Sequence, residues 1–163
     1  MRVRFDLMLL ALLSTSALAQ AGAAPHQHGV AELDLAVSGG QLELSMHAPA
    51  EALLGFEHAP QTPAEQAQLQ HALAALHAPE TLFELPNCQW QTPRIVHQQH
   101  GAHADFSAHY QAHCQAPLTL TRLDLHQLFA RFKGLETIQV QWVTDQHQHA
   151  ARASAAQPQV SLD

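Results

Sequence analysis

The sequence predicts an α+β fold in which an antiparallel β-sheet has two or three helices packed on one face and contains one disulfide bond. Several short stretches place apolar residues at every second position, which is the period of a half-buried strand. Alanine- and leucine-rich stretches with helix-capping residues lie between them, and the chain has 2 cysteines. Its 163 residues suffice for one domain with a buried core.

The first two strands have the clearest pattern. Leucine and valine occupy every second position from 33 to 37, and leucine and methionine do so from 42 to 46. Ser38, Gly39 and Gly40 lie between these stretches, and glycine tolerates the positive φ of a tight turn. The pattern predicts a β-hairpin.

Two helical regions follow the hairpin. Positions 50–54 are predicted to form one or two helical turns. Thr62 and Glu65 form a capping box with proline at the first helical position, which predicts a helix over 64–77 that Pro79 ends. The leucines at 69, 73 and 76 lie on one stripe that is expected to pack on the sheet.

The second half of the chain combines strands with one further helix. A strand region is predicted from Cys88, interrupted by Pro93 and resuming at 95–96, and further strands are predicted at 105–114 and 138–142, with a loop or hairpin tip at 97–103. Asp124 is predicted to cap a helix that runs to about Phe132. From position 145 the chain is rich in alanine and glutamine, which fits either a disordered tail or an edge strand.

The amino-terminal segment resembles an export signal. Two arginines precede an apolar run at 7–13, and Ala17 and Ala19 are the small residues that a signal peptidase reads. The run is shorter than the about 20 residues of a membrane span, so we expect a periplasmic protein with no membrane span in the mature chain. The expected divisions are a cleaved signal peptide (1–19), a flexible histidine-containing amino terminus (20–29), one domain (30–144) and the tail (145–163).

Cys88 and Cys114 are interpreted first as a disulfide bond, because an even pair of cysteines in an oxidising compartment usually pairs. Cys114 is predicted to face the core and Cys88 to share a face with Trp90, and antiparallel strands flanking a loop would bring the two sulfurs together, as a disulfide requires. A thiolate metal site is the alternative, which export disfavours.

Histidine is the most unusual feature of the composition. The chain has 14 histidines against 7 lysines plus arginines, and its formal net charge is −7 at pH 7. An acidic chain disfavours nucleic acid as a partner and favours cations. Because neutral imidazole is a common ligand of zinc, we expect zinc binding. Compositional drift towards histidine and glutamine is the alternative.

The densest cluster is His97-x-x-His100-x-x-His103, in which three imidazoles can wrap one cation. At this spacing the side chains do not share a face of a regular strand, so an irregular loop is required. A solvated polar loop is the alternative. A fourth zinc ligand is expected from the strand that leaves the loop: Asp105, His109 or His113.

Two His-x-His pairs lie near the chain ends, His26 with His28 and His147 with His149. Each pair can present two imidazoles from an extended chain, and all four would meet if the chain ends lay close together. Solvated histidines are the alternative for both pairs.

Glu57 and His58 are adjacent in the chain. They are either a carboxylate and imidazole ligand pair or a turn that His58 caps. His47, at the exposed end of the second strand, could face the same region.

Most of the chain resembles the ZrgA-like periplasmic zinc-uptake proteins. The similar stretches are APHQHGVAELDLAV (24–37), APAEALLGFEHAP (48–60), the histidine-containing frame from Cys88 to Cys114, and positions 128–142. The resemblance implies a zinc-regulated periplasmic protein that assists a zinc import system, with an importer or an outer-membrane receptor as its partner.

The resemblance also implies a ligand set. Family members often carry a long tract of histidine, aspartate and glutamate between the cysteines, whereas this chain has three loop histidines and no acid before Asp105. This departure argues against a high zinc capacity and leaves one or two defined sites. The implied zinc ligands are His28, His58, His97, His100 and His103.

Two other functions compete with zinc uptake. A zinc hydrolase needs an open coordination position and a general base, and the chain has neither a His-Glu-x-x-His nor a Gly-x-Ser-x-Gly motif. A copper or nickel protein is the nearer alternative, since histidine binds Cu(II) and Ni(II) strongly. With only 3 methionines, Cu(I) is disfavoured, and we expect a protein that is not an enzyme.

Overall fold

Nine strands and three helices make up the part of the chain that the structure describes. The structure is a computed structural model and describes residues 27–85, 87–115, 120–145 and 147–162. The predicted signal peptide and His26 lie outside these residues. The strands are β1 (Val30–Ser38), β2 (Gln41–Pro49), β3 (Cys88–Trp90), β4 (Arg94–His100), β5 (His103–Cys114), β6 (Arg122–Asp124), β7 (Thr137–Val143), β8 (Gln148–Ser154) and β9 (Gln159–Ser161). The helices are α1 (Ala50–Leu54), α2 (Pro63–Leu76) and α3 (His126–Arg131), with a 3₁₀ turn at Pro79–Thr81.

Seven of the strands form one mixed sheet, in the order β3-β5-β2-β1-β7-β8, and β4 continues the position of β3 along the same edge of β5. The predicted α+β fold, with helices on the sheet and one disulfide, is confirmed. One neighbouring pair, β1 with β7, is parallel rather than antiparallel. The chain reaches β7 only after β6 and α3, and such a long connection allows the parallel direction that a tight hairpin forbids.

The two faces of this sheet have opposite character. Leu33, Leu44, Tyr110 and Val140 point to one face and are buried with residues of the helices and of the small β6–β9 ribbon. Phe83 packs edge-on against Tyr110, with ring centroids 5.3 Å apart. The alternate residues of the same strands are mostly polar. We call this second side the open face; its central positions are Glu32, Asp34, Glu43, Ser45, His47, Ser107 and His109.

The predicted capping box begins α2. The Glu65 amide donates to Thr62 Oγ1 at 3.2 Å, and the Thr62 amide donates to Glu65 Oε2 at 3.0 Å. The backbone N–H of Gln61 also donates to this carboxylate and is the largest cause of the lowered pKa of Glu65; desolvation opposes it, and Thr62 and His58 add to it. Ala72 and Leu76 are the buried residues of the helix, and Leu69 and Leu73 pack at the margin of the core.

Cys88 and Cys114 lie opposite each other in register and are joined by a disulfide bond. The thiolate metal site is therefore excluded. The segment from residue 145 contains β8, which is an edge strand of the main sheet, and β9, which pairs with β6. In the described ranges, no helix combines the length and apolar character that crossing a membrane requires.

Candidate metal centre

One end of the main sheet brings together segments that are far apart in the chain. His28 lies two residues before the start of β1, and the β4–β5 hairpin turns at the same end between His100 and His103. Helix α1 starts directly after β2 at this end. Gly55 then ends α1 with a φ of 81°, its N–H donating to Glu51 O, and this left-handed residue redirects the chain towards Glu57.

Glu57 lies between two imidazoles. Its Oε1 is 3.4 Å from His28 Nδ1, and its Oε2 contacts His103 Nδ1. A second carboxylate is close, because Glu51 Oε2 is 3.6 Å from the same His28 nitrogen. We call His28, Glu51, Glu57 and His103 the Glu57 cluster.

A backbone N–H holds the Glu51 carboxylate, and a side-chain amide anchors the backbone of Glu57. Gly29, with a φ of 70°, donates its N–H to Glu51 Oε2 at 3.2 Å. Gln99 Nε2 lies 3.3 Å from Glu57 O and 3.0 Å from His103 O, so its amide links the loop after α1 to the hairpin. The side chain of Glu57 is 17% exposed, whereas those of His28 and His103 are 73% and 66% exposed.

Nitrogen and oxygen donors of this kind suit zinc. Two ligands of one tetrahedral zinc ion, each with a bond of about 2.0–2.1 Å, lie about 3.3 Å apart, close to the separations of His28 Nδ1 from Glu57 and Glu51. As positioned, no three described histidine, cysteine, aspartate or glutamate side chains form a group that could hold a metal ion. The cluster therefore requires side-chain rotation to close around an ion, and its two imidazoles are exposed enough to rotate.

The three histidines of the predicted loop do not converge. The hairpin keeps only Gly101 and Ala102 outside its strands, so 97–100 is regular strand rather than irregular loop. His97 and His100 are three residues apart on β4 and project to opposite faces. The exposed His100 is paired in register with His103. Of the three histidines, His103 alone belongs to the Glu57 cluster.

His97 instead packs against the core. It lies opposite Phe106, and the two ring centroids are 4.6 Å apart. Desolvation lowers the pKa of His97, and the nearby Asp105 carboxylate opposes part of this change. A structural role fits this position better than a ligand role.

His58 points away from Glu57. Its ring stacks on Phe56 with centroids 5.0 Å apart, and Nδ1 is hydrogen-bonded to Ala59 O at 3.0 Å. Its Nε2 is 3.9 Å from Glu65 Oε1, at the start of α2. Glu57 and His58 therefore do not form one ligand pair in this arrangement.

His147 and His149 lie at the opposite end of the sheet from His28. His149 is in register with Trp142, which pairs with Leu35, seven residues along β1 from His28. The two rings are 6.1 Å apart, and His149 lies against Trp142. About 23 Å of strand, at roughly 3.3 Å per residue, therefore separates these imidazoles from the Glu57 cluster.

Sequence reasoning missed one member of the cluster and placed another with the wrong neighbour. Glu51 looks like an ordinary acid in the first turn of a short helix, and only its contact with Gly29 and His28 reveals it. Glu57 was detectable as a carboxylate beside a histidine, but it meets His28 and His103 rather than His58. Two sequence features could have pointed to Glu57. A His-Gly pair, His28-Gly29, lies just before the first strand, and a glycine that can end a helix, Gly55, lies two residues before the glutamate.

Comparison with known proteins gives one finding at the level of the family. The model of the family described as ZrgA family zinc uptake protein matches residues 25–162. No curated protein matches the chain.

Proposed function

Because this chain belongs to the ZrgA family of zinc uptake proteins, we propose that it binds zinc outside the cytoplasm and passes it to a zinc importer or an outer-membrane receptor. The observation that carries the proposal is the Glu57 cluster, where three segments bring two imidazoles and two carboxylates to one end of the sheet.

Zinc is cargo at this site rather than a fixed structural ion. Both histidines lie on the surface, so a receiving protein has direct access to the ion. Glu57 is largely enclosed and anchored through its backbone by Gln99, which gives the exposed imidazoles a fixed carboxylate to close upon. A site with mobile outer ligands releases its ion more readily than a closed tetrahedral shell. This suits an accessory or buffering protein, and we propose no catalytic reaction.

Two features support a periplasmic location. Disulfides persist in oxidising compartments, and the chain contains the Cys88–Cys114 bond. The first 19 residues also have the charge and hydrophobicity pattern of a cleaved signal.

The donor set favours zinc over Cu(I). Both cysteines are held in the disulfide, so the site offers no thiolate, the ligand type that Cu(I) prefers. Imidazole and carboxylate donors also accept Cu(II) and Ni(II), so a copper- or nickel-binding protein is the alternative that the experiment must separate.

The proposal is tested by titrating purified mature protein with Zn²⁺ against a chromophoric chelator. We expect Glu57→Gln and His103→Ala to weaken zinc binding at least tenfold, because each removes a ligand. His77→Ala is the matched control: His77 is an exposed imidazole at the end of α2, hydrogen-bonded to Leu73 O. The same titrations with Cu²⁺ and Ni²⁺ compare the competing metals.

Further variants address the other predicted ligands. Changing His26, His28, His58, His97 and His100 singly to alanine, and His147 with His149 together, ranks each against Glu57→Gln. A wild-type protein that binds no zinc contradicts the proposal. Unchanged binding by both the Glu57 and His103 variants moves the site away from the Glu57 cluster.

A further inference from the structure

Asp105 is the one charged side chain that is buried among the described residues, with 8% of its surface exposed. It lies on β5, opposite Pro49 of β2 and Gln98 of β4. A carboxylate that is fixed in place by burial next to an imidazole is a position to examine for cation binding, because both groups are zinc ligands.

His47 is that imidazole. Its Nε2 is 4.0 Å from Asp105 Oδ1, and its Nδ1 is 3.3 Å from Ser107 Oγ on the open face. A separation of 4.0 Å is too long for a hydrogen bond between these two atoms. If Nδ1 donates to the serine hydroxyl, Nε2 presents its lone pair towards the carboxylate. This matches the usual arrangement of a metal-binding histidine, whose other ring nitrogen donates to an oxygen.

Glu32 brings a second carboxylate to the same place. It lies on β1 directly opposite His47 in register, and its side chain is exposed on the open face. Cross-strand neighbours have Cβ atoms about 4.5–5.5 Å apart, so a flexible glutamate reaches an ion held by its partner. The three side chains come from three adjacent strands and need no loop to assemble.

We propose that Glu32, His47 and Asp105 form a second divalent-cation site, which we call the open-face site. One imidazole and two carboxylates form a donor set that suits Zn²⁺, the ion named in the description of the family. The Nε2 to Oδ1 separation has to shorten by less than about 1 Å to reach the about 3.3 Å between ligands of a tetrahedral ion. Three protein ligands leave a position for water, so this ion is exchangeable.

The open-face site is independent of the Glu57 cluster in its residues but adjoins it along two strands. Glu32 follows His28 by four residues, and Asp105 follows His103 by two. At roughly 3.3 Å per residue, the two ions lie on the order of 7–13 Å apart. This end of the sheet then holds two neighbouring zinc positions, between which an ion can pass during loading or release.

The test is the number of zinc ions bound per chain, measured by equilibrium dialysis of the mature protein against excess Zn²⁺. We expect about two ions for the wild type and about one for Glu32→Gln/His47→Gln. Glu57→Gln/His103→Ala is expected to retain about one ion. The variant that carries all four substitutions is expected to bind no ion. His109→Ala is the control, since His109 lies on the same face and is hydrogen-bonded to Ser45 at 3.0 Å.

Asp105 is left unchanged in these variants because it is buried. Circular dichroism in chelator establishes that each variant is folded, and Ser107→Ala provides a second measurement that leaves all three ligands in place. It is expected to weaken the remaining site of Glu57→Gln/His103→Ala about tenfold, as loss of a ligand's hydrogen-bond partner does.

The outcomes separate this proposal from the proposed function. If Glu32→Gln/His47→Gln binds as many ions as the wild type, the open-face site is wrong, whatever happens at the Glu57 cluster. If Glu57→Gln/His103→Ala keeps the wild-type number while the open-face variant loses an ion, the Glu57 cluster is wrong and the open-face site stands.

Discussion

His97 shows how burial changes the consequence of a histidine. Desolvation lowers its pKa in the folded chain below the usual 6.5, while Asp105 opposes the change. The unfolded chain therefore takes up this proton first as the pH falls. His97 has no effect on stability well above pH 6.5, and its contribution becomes unfavourable as the pH falls through 6.5 towards its folded pKa.

His97→Phe tests this difference. Phenylalanine keeps an aromatic ring against Phe106 and removes the titration, so stability should fall less between about pH 7.5 and about pH 5.5 in the variant than in the wild type. Urea unfolding at the two pH values measures the change. An identical pH dependence in both proteins would show that the proton on His97 does not contribute.

Gly134 is required where a turn meets helix α1. A Cβ at this position would lie 2.7 Å from Ala52 O and 2.8 Å from Glu51 O, and backbone oxygens cannot move aside as a side chain does. Gly134→Ala is therefore expected to lower the free energy of unfolding by about 1–3 kcal/mol. It should also displace Glu51 and weaken zinc binding.

Gly39→Ala is the comparison for that change. Gly39 has a φ of 60° and no atom within 4 Å of its added Cβ, so alanine there adds backbone strain of about 1 kcal/mol and no clash. Thermal unfolding and zinc titration of both variants separate the effects. Gly134→Ala with wild-type stability and zinc affinity would contradict the close approach to α1.

At the scale of elements, the amino-terminal cap of α2 is a separable contribution to stability. The helix has only two buried residues, Ala72 and Leu76, so packing alone fixes its start weakly. Thr62→Ala removes one half of the capping box and is expected to cost about 1 kcal/mol. Urea denaturation measures the loss, and Gln70→Ala, at an exposed position in the same helix, is expected to change stability by less than about 0.5 kcal/mol. Equal effects of the two changes would mean that the cap is dispensable.

Elements with a local signal were predictable from the sequence. Strands β1 and β2 have strict alternation and a glycine turn, and the Thr62–Glu65 box marks the start of α2. The parallel pairing of β1 with β7 has no local signal, because it depends on the path taken by the whole chain after β5. Strand β8 was ambiguous for a different reason. Its sequence, QHAARAS, has only one buried side chain, Ala153, and so lacks the apolar alternation that reveals a strand.

The candidate site was less predictable than the fold, because its members meet only through the tertiary structure. His28 and His103 were both predicted as ligands from the sequence, but with other neighbours than Glu57, which both of them contact. Alternate residues of a regular strand face opposite sides, so His97 and His100 point away from each other. The register of β1, β7 and β8 places His149 at the other end of the sheet from His28. Spacing along the chain therefore indicates candidate ligands, and the sheet determines which of these side chains lie close together.

At the scale of the molecule, the disulfide and the Glu57 cluster lie at opposite ends of β5. This strand runs for 12 residues from His103 to Cys114, which is about 36 Å at roughly 3.3 Å per residue. We expect Cys88→Ser/Cys114→Ser to lose roughly 3–4 kcal/mol of stability, the value for a loop closed over a sequence separation of 26. Zinc affinity should stay within about twofold of the wild type in any preparation that remains folded. A tenfold loss of affinity would show that the two ends of the sheet are coupled.

Zinc bound at the proposed site in the Glu57 cluster would connect the start of β1, the α1 region and the β4–β5 hairpin, which are distant in sequence. Because these ligands are dispersed when the chain unfolds, the ion binds the folded state preferentially and raises the free energy of unfolding. The increase is about 2.7 kcal/mol when free zinc is about a hundred times the Kd, reduced by any zinc that the unfolded histidines bind. Thermal unfolding with Zn²⁺ should show a higher Tm, reversed by chelator. The increase should be much smaller in Glu57→Gln and preserved in His77→Ala. A wild-type Tm that is unchanged at saturating zinc would mean that the ion does not join these segments, and the cluster would then be a surface ion-pair network.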